Sequence, residues 1–347
     1  MRRPSATTVA KQAGVSQATV SYVLNGKFLD RIPDDTRQRV MAAAEQLGYR
    51  PNHLARSLLS GKTRTIGLLL PSNAPYYASL VEGIEAVLDE HDYKLLCCRA
   101  GDKQDQEANV VEFFMELRVD GIACVATTFS IPRIRQWLSR VDQRLVPCAI
   151  LDDSTYAADA DCIISDDVAG MKLAVDHLVS LGHRRIAHIS MWSGNSTARD
   201  RTAGYRLALE QHGIPYDQSI DVKTTHSAKR DEYTASIKSL LAMPDPPTAC
   251  IPDIDTMFEG FYTECLRNRD LDPLALSVVG YANNDTSRIF DMTAISQNPE
   301  QMGAIAARRL LERMDNPGAE PRLIKIQPCL IVRSSCKDLN LIRSNQQ

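Results

Sequence analysis

The chain has 347 residues, 44% of them hydrophobic, which is enough for two or three domains with cores of their own. No segment reaches the length of an apolar membrane span and the N-terminus carries no apolar signal run. Membrane-spanning and secreted classes are therefore set aside, and a cytoplasmic protein is expected. The formal charge of −3 is unevenly spread: residues 1–62 hold ten Lys/Arg against four Asp/Glu, a net +6, so the remainder carries −9. A basic head on an acidic body points to phosphate binding at the N-terminal end.

The first elements read as helix, tight turn, helix. Ser5 is placed to cap a helix whose apolar face is Val9, Ala10 and Ala13, and Gly14 to close it in the left-handed conformation. Ser16 caps a second helix with Val20, Val23 and Leu24 inward, leaving Gln17, Ala18, Ser21, Tyr22 and Asn25 outward. A short polar face at the start of a second helix is what a helix-turn-helix protein lays in the DNA major groove. A third helix is predicted over 35–47, with Val40, Ala43, Ala44 and Leu47 at helical spacing, Gly48 after it, and Asp34 and Asp35 favouring its start electrostatically. Residues 51–61 read as a two-turn helix from Pro51 to Gly61, marginal on its own in water.

Beyond residue 64 the pattern changes. Strands are predicted at 66–70, 93–98, 121–126, 148–151, 186–190, 249–251 and 277–281, with helices such as 80–91, 169–181, 204–212 and 258–268 between them. This alternation gives parallel sheets covered by helices, and the length suits two such units. In such sheets a ligand lies beyond the carboxyl ends of the strands. The nine cysteines lack paired CxxC spacing, and several sit in predicted strands, which suggests buried reduced thiols rather than disulfides or zinc. The seven histidines form no ligand cluster, so no metal or cofactor is expected. No GxSxG, phosphate loop, HExxH or nucleophile–base pair occurs, so no catalytic residue and no enzyme activity is expected.

The segment VAKQAGVSQATVSYVLNG (9–26) resembles the DNA-binding head of the lactose/galactose repressor (LacI/GalR) family of bacterial transcription regulators. The similarity continues through TRQRVMAAAEQLGYRPNHLARSLLSGKTRTIGLLLP (36–71) and, more loosely, to LIVRSS (330–335). The resemblance implies an N-terminal all-α helix-turn-helix head with a hinge helix. An α/β two-lobed domain like the periplasmic binding proteins follows, with two doubly wound parallel sheets. The expected boundaries are 1–50 for the head, 51–63 for hinge helix and linker, 64–163 plus 293–321 for the N-terminal effector-binding lobe, and 164–292 plus 322–340 for the C-terminal lobe. The chain is expected to cross between lobes near Ile164, Met292 and Arg322.

By the same resemblance Ser16, Gln17, Ala18, Ser21, Tyr22 and Asn25 face the major groove, and Thr36 also contacts DNA. Tyr49, Asn52, His53 and Arg56 hold phosphates or the minor groove, and Leu58 matches the leucine wedged between central base pairs. Tyr22 stands where many members carry an arginine, and unlike arginine it cannot take a guanine bidentately; Ala18 suits a thymine methyl. The effector would meet Asn73, Tyr76, Tyr77, Asp152, Trp192, Arg201, Asp255 and Asn283, whereas His183 reads as structural. Ile254 and Ala282 stand where sugar-binding members often have polar residues, so a ligand less hydroxyl-rich at one end is expected, such as a modified or acidic sugar or another small metabolite.

The function implied is a sequence-specific DNA-binding transcriptional regulator, a repressor, whose affinity for a palindromic operator is set by a small effector in the interlobe cleft. It would act as a homodimer, and the C-terminal LNLIRSNQQ lacks the leucine heptads of a tetramer-forming tail. Two alternatives stand beside it: an effector-independent architectural DNA-binding protein, and, less favoured, an enzyme on the same α/β fold.

Overall fold

The computed structural model describes residues 4–26, 28–49, 61–72, 74–100, 106–125, 141, 146–192, 195–225, 230–268 and 272–344. The hinge helix expected at 51–61 falls outside the described residues, save Gly61. The chain divides into two units, Met1–Thr63 and Arg64–Gln347.

Local chemistry sets each element of the first unit. Ser5 caps α1 (Ala6–Ala13) by accepting from the Thr8 N–H, while Thr8 Oγ1 takes the Ser5 N–H. Gly14, at φ 65°, closes the helix. Ser16 caps α2 (Gln17–Leu24) through the Thr19 N–H. After Pro33, α3 (Asp34–Gln46) has no side-chain cap and starts on Asp34 and Asp35, one residue earlier than predicted. It ends at Gly48, where the Tyr49 N–H returns to the Ala44 carbonyl. Val9, Ala13, Val20, Val23, Val40 and Ala44 pack into one small core, with Leu24 and Leu47 at its rim.

The second unit runs β1 (Thr65–Leu70), α4 (Pro75–Glu90), β2 (Lys94–Arg99), α5 (Gln106–Glu116), β3 (Gly121–Val125), β4 (Cys148–Leu151) and β5 (Asp161–Ser165). It continues with α6 (Asp167–Ser180), β6 (Ile186–Trp192), α7 (Ser196–Gln211), β7 (Asp221–Thr225), α8 (Arg230–Leu241), β8 (Ala249–Pro252), α9 (Glu259–Arg267), β9 (Ser277–Tyr281) and α10 (Asp285–Ile289). It closes with β10 (Thr293–Ser296), α11 (Pro299–Asp315), β11 (Leu323–Ile326), β12 (Cys329–Ile331) and α12 (Leu339–Ser344). The strands form two six-stranded sheets, in the orders β11-β5-β4-β3-β1-β2 and β12-β10-β9-β8-β6-β7. Among the described strands the second sheet ends in an antiparallel pair, β10 with β12, so it is not wholly parallel. Each sheet is covered on both faces, the first by α5 on one side and α4 with α11 on the other, the second by α8 with α9 and α6 with α7. This burial on both faces explains the near-continuous apolar runs of the central strands.

The sheets also correct two of the expected crossings. β5 stays in the first sheet and the first crossing follows Ser165, near Ile164 as expected. β10 still belongs to the second sheet, which moves the second crossing from Met292 to after Ser296. β11 returns to the first sheet, so the third crossing follows Ile326 rather than Arg322. Hydrogen-bond pairing along these short strands decides their membership, and composition does not report it.

Two glycines let α4 and α11 lie close together. A Cβ at Gly83 would collide with the Glu300 carbonyl, and one at Gly303 with the Leu80 carbonyl. Backbone cannot swing aside as a flexible side chain can. Gly303→Ala is therefore expected to lower unfolding free energy by about 1–3 kcal/mol, read from the shift of a urea transition. An unchanged midpoint would mean that the two helices separate without cost.

Candidate functional site

Contacts join the carboxyl ends of β4 and β5 in the first lobe to those of β6, β8 and β9 in the second. The β4 strand delivers Asp152 in the left-handed region (φ 61°), half-buried, where its Oδ1 accepts from the Tyr76 hydroxyl at 3.1 Å. Tyr76 begins α4 and meets Tyr77 edge to face at 5.3 Å. Burial and then nearby Asp167 push the Asp152 carboxyl up to about 7, while the Tyr76 hydroxyl and Arg201 pull the other way. Both tyrosines are raised above their ordinary value by burial and remain neutral donors.

Arg201, in the second turn of α7, is 5% exposed. Its Nε donates to Asp167 Oδ1 at 3.1 Å and its Nη1 to the Asp253 carbonyl at 2.5 Å. The guanidinium also lies 4.1 Å from the centroid of the Tyr281 ring. Burial opposes this charge, but Asp167, Tyr281 and Asp253 together more than offset it and hold the guanidinium above its usual range. Asp167 itself is raised by burial and drawn back by Arg201. Among the described residues Nη2 makes no hydrogen bond, which leaves part of the planar fork for a ligand.

Two further features surround this pair. Asp153, fully buried, accepts from the Thr155 hydroxyl at 2.6 Å and from the Ser196 N–H at 3.3 Å. With Ser154 N–H to Ser196 Oγ at 2.8 Å and Thr197 Oγ1 to the Asp152 carbonyl at 2.7 Å, it ties the first lobe to the N-terminus of α7. Behind Arg201, Asp253 Oδ1 lies 3.1 Å from His188 Nε2, and His188 Nδ1 lies 3.2 Å from Asp221 Oδ1. Asp221 Oδ2 accepts from the Tyr216 hydroxyl at 2.6 Å, and Arg206 stands 3.6 Å away. Burial works against a charged His188, but its hydrogen bonds to Asp221 and Asp253, together with their negative charge, outweigh it and hold the imidazole up at about 9. Each ring nitrogen of this buried imidazole thus faces one aspartate.

The remaining expected effector residues fare differently. Asp255 has no exposed surface, and its Oδ2 accepts from Ser287 Oγ and from the Asn284 N–H at 3.0 Å. Its carboxylate pins the turn after β9, and burial raises it to about 6. Asn283 Oδ1 accepts from Arg333 Nη2 at 2.6 Å. Beside it Ala282 holds φ 116°, a conformation costly for any residue with a Cβ, at the strand end nearest Arg201's stacking partner. Asn73 and the Trp192 side chain lie outside the described residues. His183 bridges Thr248 Oγ1 and the Lys337 carbonyl deep in the second lobe.

On the head, Ser16, Gln17, Ala18, Ser21 and Tyr22 are exposed along one side of α2. Asn25 instead turns back, its amide donating to the Ser21 carbonyl at 2.7 Å, and so finishes α2 rather than facing outward. Thr36 Oγ1 accepts from Arg39 at 3.1 Å, and Tyr49 is half-buried at the rim of the core. Asn52, His53, Arg56 and Leu58 lie outside the described residues.

Comparison with known proteins identifies both units. Residues 7–52 match "Bacterial regulatory proteins, lacI family", and residues 175–336 match "Periplasmic binding protein-like domain". The chain is 30% identical over 335 residues to the HTH-type transcriptional repressor PurR of Vibrio campbellii, covering 96% of this chain and 98% of that one. The chain belongs to the lacI family of bacterial regulatory proteins. The ribose operon repressor of Escherichia coli is 31% identical over 332 residues, covering 94% and 98%. Among solved structures, the transcriptional regulator CelR in complex with cellobiose superposes with a TM-score of 0.68 at 26% identity, across 96% of this chain and all of that one. As a lacI-family member the chain is a DNA-binding transcriptional regulator under effector control, with the helix-turn-helix head and two-lobed α/β body of that family.

Sequence reasoning missed Asp167, Asp253 and Tyr281 around Arg201, and His188 behind them. Asp253 and Tyr281 each stand at the end of a predicted strand, the position where ligands of such sheets lie, and that signal was available. Asp167 follows β5, which was not predicted, so its strand-end position was hidden.

Proposed function

We propose that the chain represses transcription in the cytoplasm by binding a palindromic operator as a homodimer. It acts by binding rather than by catalysis. A small effector enters the cleft beside Arg201 and Asp152 and changes operator affinity through different contacts in the open and closed lobe arrangements. Arg201 carries this reading. A guanidinium buried on an aromatic ring, with part of its fork unused, is costly to maintain without a ligand to take it.

The local charge narrows the effector. Asp167 already balances Arg201, and Asp152 adds a second carboxyl with no cation of its own among the described residues. We infer an uncharged polyhydroxy compound, or one bearing a basic nitrogen. This replaces the acidic sugar considered from the sequence, since a further anion would meet two carboxyls and one guanidinium that is already paired.

A thermal-shift screen of the full chain against sugars, polyols, amino sugars, sugar acids, sugar phosphates, nucleobases and amino acids tests this. Ligand at a hundred times its dissociation constant should add about 2.7 kcal/mol to native stability. Stabilisation by neutral or amino compounds is expected; stabilisation only by acids or phosphates would overturn the charge argument. The affinity should also depend on pH. A hydroxyl or amine donor needs ionised Asp152, so binding tightens as pH rises towards and through 7, where that carboxyl loses its proton. Below 7 affinity should fall by up to tenfold per pH unit in calorimetric titrations, and Asp152→Asn should flatten the profile.

A further inference from the structure

Two large aromatic side chains sit on the head outside its core. Tyr22, on the exposed side of α2, meets Phe28 edge to face, with ring centroids 5.0 Å apart and planes at 77°. Neither belongs to the cluster that packs the three helices, and they remain 40% and 51% exposed. Phe28 also holds φ 52° and ψ 32°, the left-handed region that a bulky residue adopts only when its surroundings demand it. Arg31 closes the outer side, its guanidinium carbon 5.6 Å from the Phe28 centroid and its Nε 3.9 Å from Asp30. A strained backbone thus presents an aromatic ring to a residue on the expected DNA-reading face, and gains little burial by doing so.

We propose that Phe28 is a positioning residue for operator recognition. It fixes the Tyr22 ring on the reading face, so that the pair offers a two-ring apolar surface to a thymine methyl in the major groove. The proposal rests on the head's binding DNA through α2. Without Phe28 the Tyr22 side chain is free to swing between rotamers, and its contact with any one base is spread over several. Tyrosine lacks the fork that reads guanine, and apolar contact with the thymine methyl is the readout left to an aromatic pair. A fixed ring discriminates between bases; a mobile ring adds area without choosing.

The test selects a randomised duplex library with the full-length protein and sequences the bound DNA. It compares wild type with Phe28→Gly, Phe28→Tyr and Tyr22→Ala at one salt concentration. Affinity for non-specific DNA and the melting temperature are followed in parallel. Glycine takes the left-handed conformation without penalty, so Phe28→Gly is expected to melt no lower than wild type. At the base positions that Tyr22→Ala disturbs, Phe28→Gly should lose preference by roughly fivefold or more, with non-specific affinity unchanged. Phe28→Tyr, which keeps the ring, should restore it. Three results would overturn the proposal. One is an unchanged base profile with a lowered melting temperature, which means that Phe28 only holds the loop. Another is a uniform loss on all sequences, which means a backbone contact alone. The third, no enrichment by wild type, removes the DNA-reading role of the head and not only the role of Phe28.

Discussion

His188→Ala should cost about 3–5 kcal/mol of unfolding free energy, the price of leaving a buried charge cluster without its cation. The imidazolium lies between Asp221 and Asp253 with no exposed surface, so truncation strands two carboxylates in the second lobe. The pH dependence gives the sign. A histidine raised from 6.5 to about 9 in the folded chain contributes a stabilisation that is complete below pH 6.5 and lost as pH rises through 9. Asp221, where hydrogen bonds from His188 and Tyr216 outweigh burial and lower the carboxyl to about 2, contributes above pH 4 and loses that contribution as pH falls through 2. The gap between wild type and variant should therefore be widest from about pH 4 to 6.5 and narrow by about 3 kcal/mol towards pH 9.5. Urea unfolding at pH 5.5, 7 and 9.5, followed by circular dichroism, measures it. Equal stabilities at pH 5.5, or a gap that widens with pH, would show that the ring is buried neutral.

The same cluster shows where sequence reading stops. The head is legible because its punctuation is short-range: Ser5, Gly14 and Ser16 each act within four residues of themselves. Central strands such as Gly121–Val125 and Ser277–Tyr281 are legible because burial on both faces makes them continuous apolar runs. The strands that escaped are of two kinds. β7, β11 and β12 lie at sheet edges, where side chains are more exposed and polar residues interrupt the run, as in DVKTT and LIKI. β5 and β10 lie inside but are only five and four residues long and end in polar residues. Arg201 and Asp152 could be named from resemblance. Their pairings were not legible, because Asp167 and the Asp253 carbonyl lie 34 and 52 residues from Arg201 in the chain and meet it only through the fold. The partners of Asp255 were hidden for the same reason. A carboxylate beside a strand end faces the cleft or the interior according to its local φ/ψ, and here Ser287 and Asn284 take it inward.

Arg201→Ala should abolish effector control. The guanidinium supplies charge-assisted hydrogen bonds at about 1.5–3 kcal/mol each, so removing two to a ligand weakens binding by roughly a hundred- to twenty-thousand-fold. The substitution also frees Asp167, which is 3% exposed and loses its only cation among the described residues, so some loss of stability accompanies it. Arg201→Lys separates the two effects. Its ammonium can still neutralise Asp167, which preserves folding, but it lacks the flat fork that stacks on Tyr281 and reaches the Asp253 carbonyl while presenting free N–H groups. Lysine should therefore melt close to wild type and still lose most effector affinity. A ligand shifts the lobe equilibrium only through its differential affinity for the two states, so both variants should bind operator equally with and without the best compound from the screen. Fluorescence anisotropy on a selected operator reads this directly. If Arg201→Lys folds, binds operator and still responds to the compound at wild-type concentrations, the effector is held elsewhere, and Arg201 serves only to join Asp167, Asp253 and Tyr281 within the second lobe.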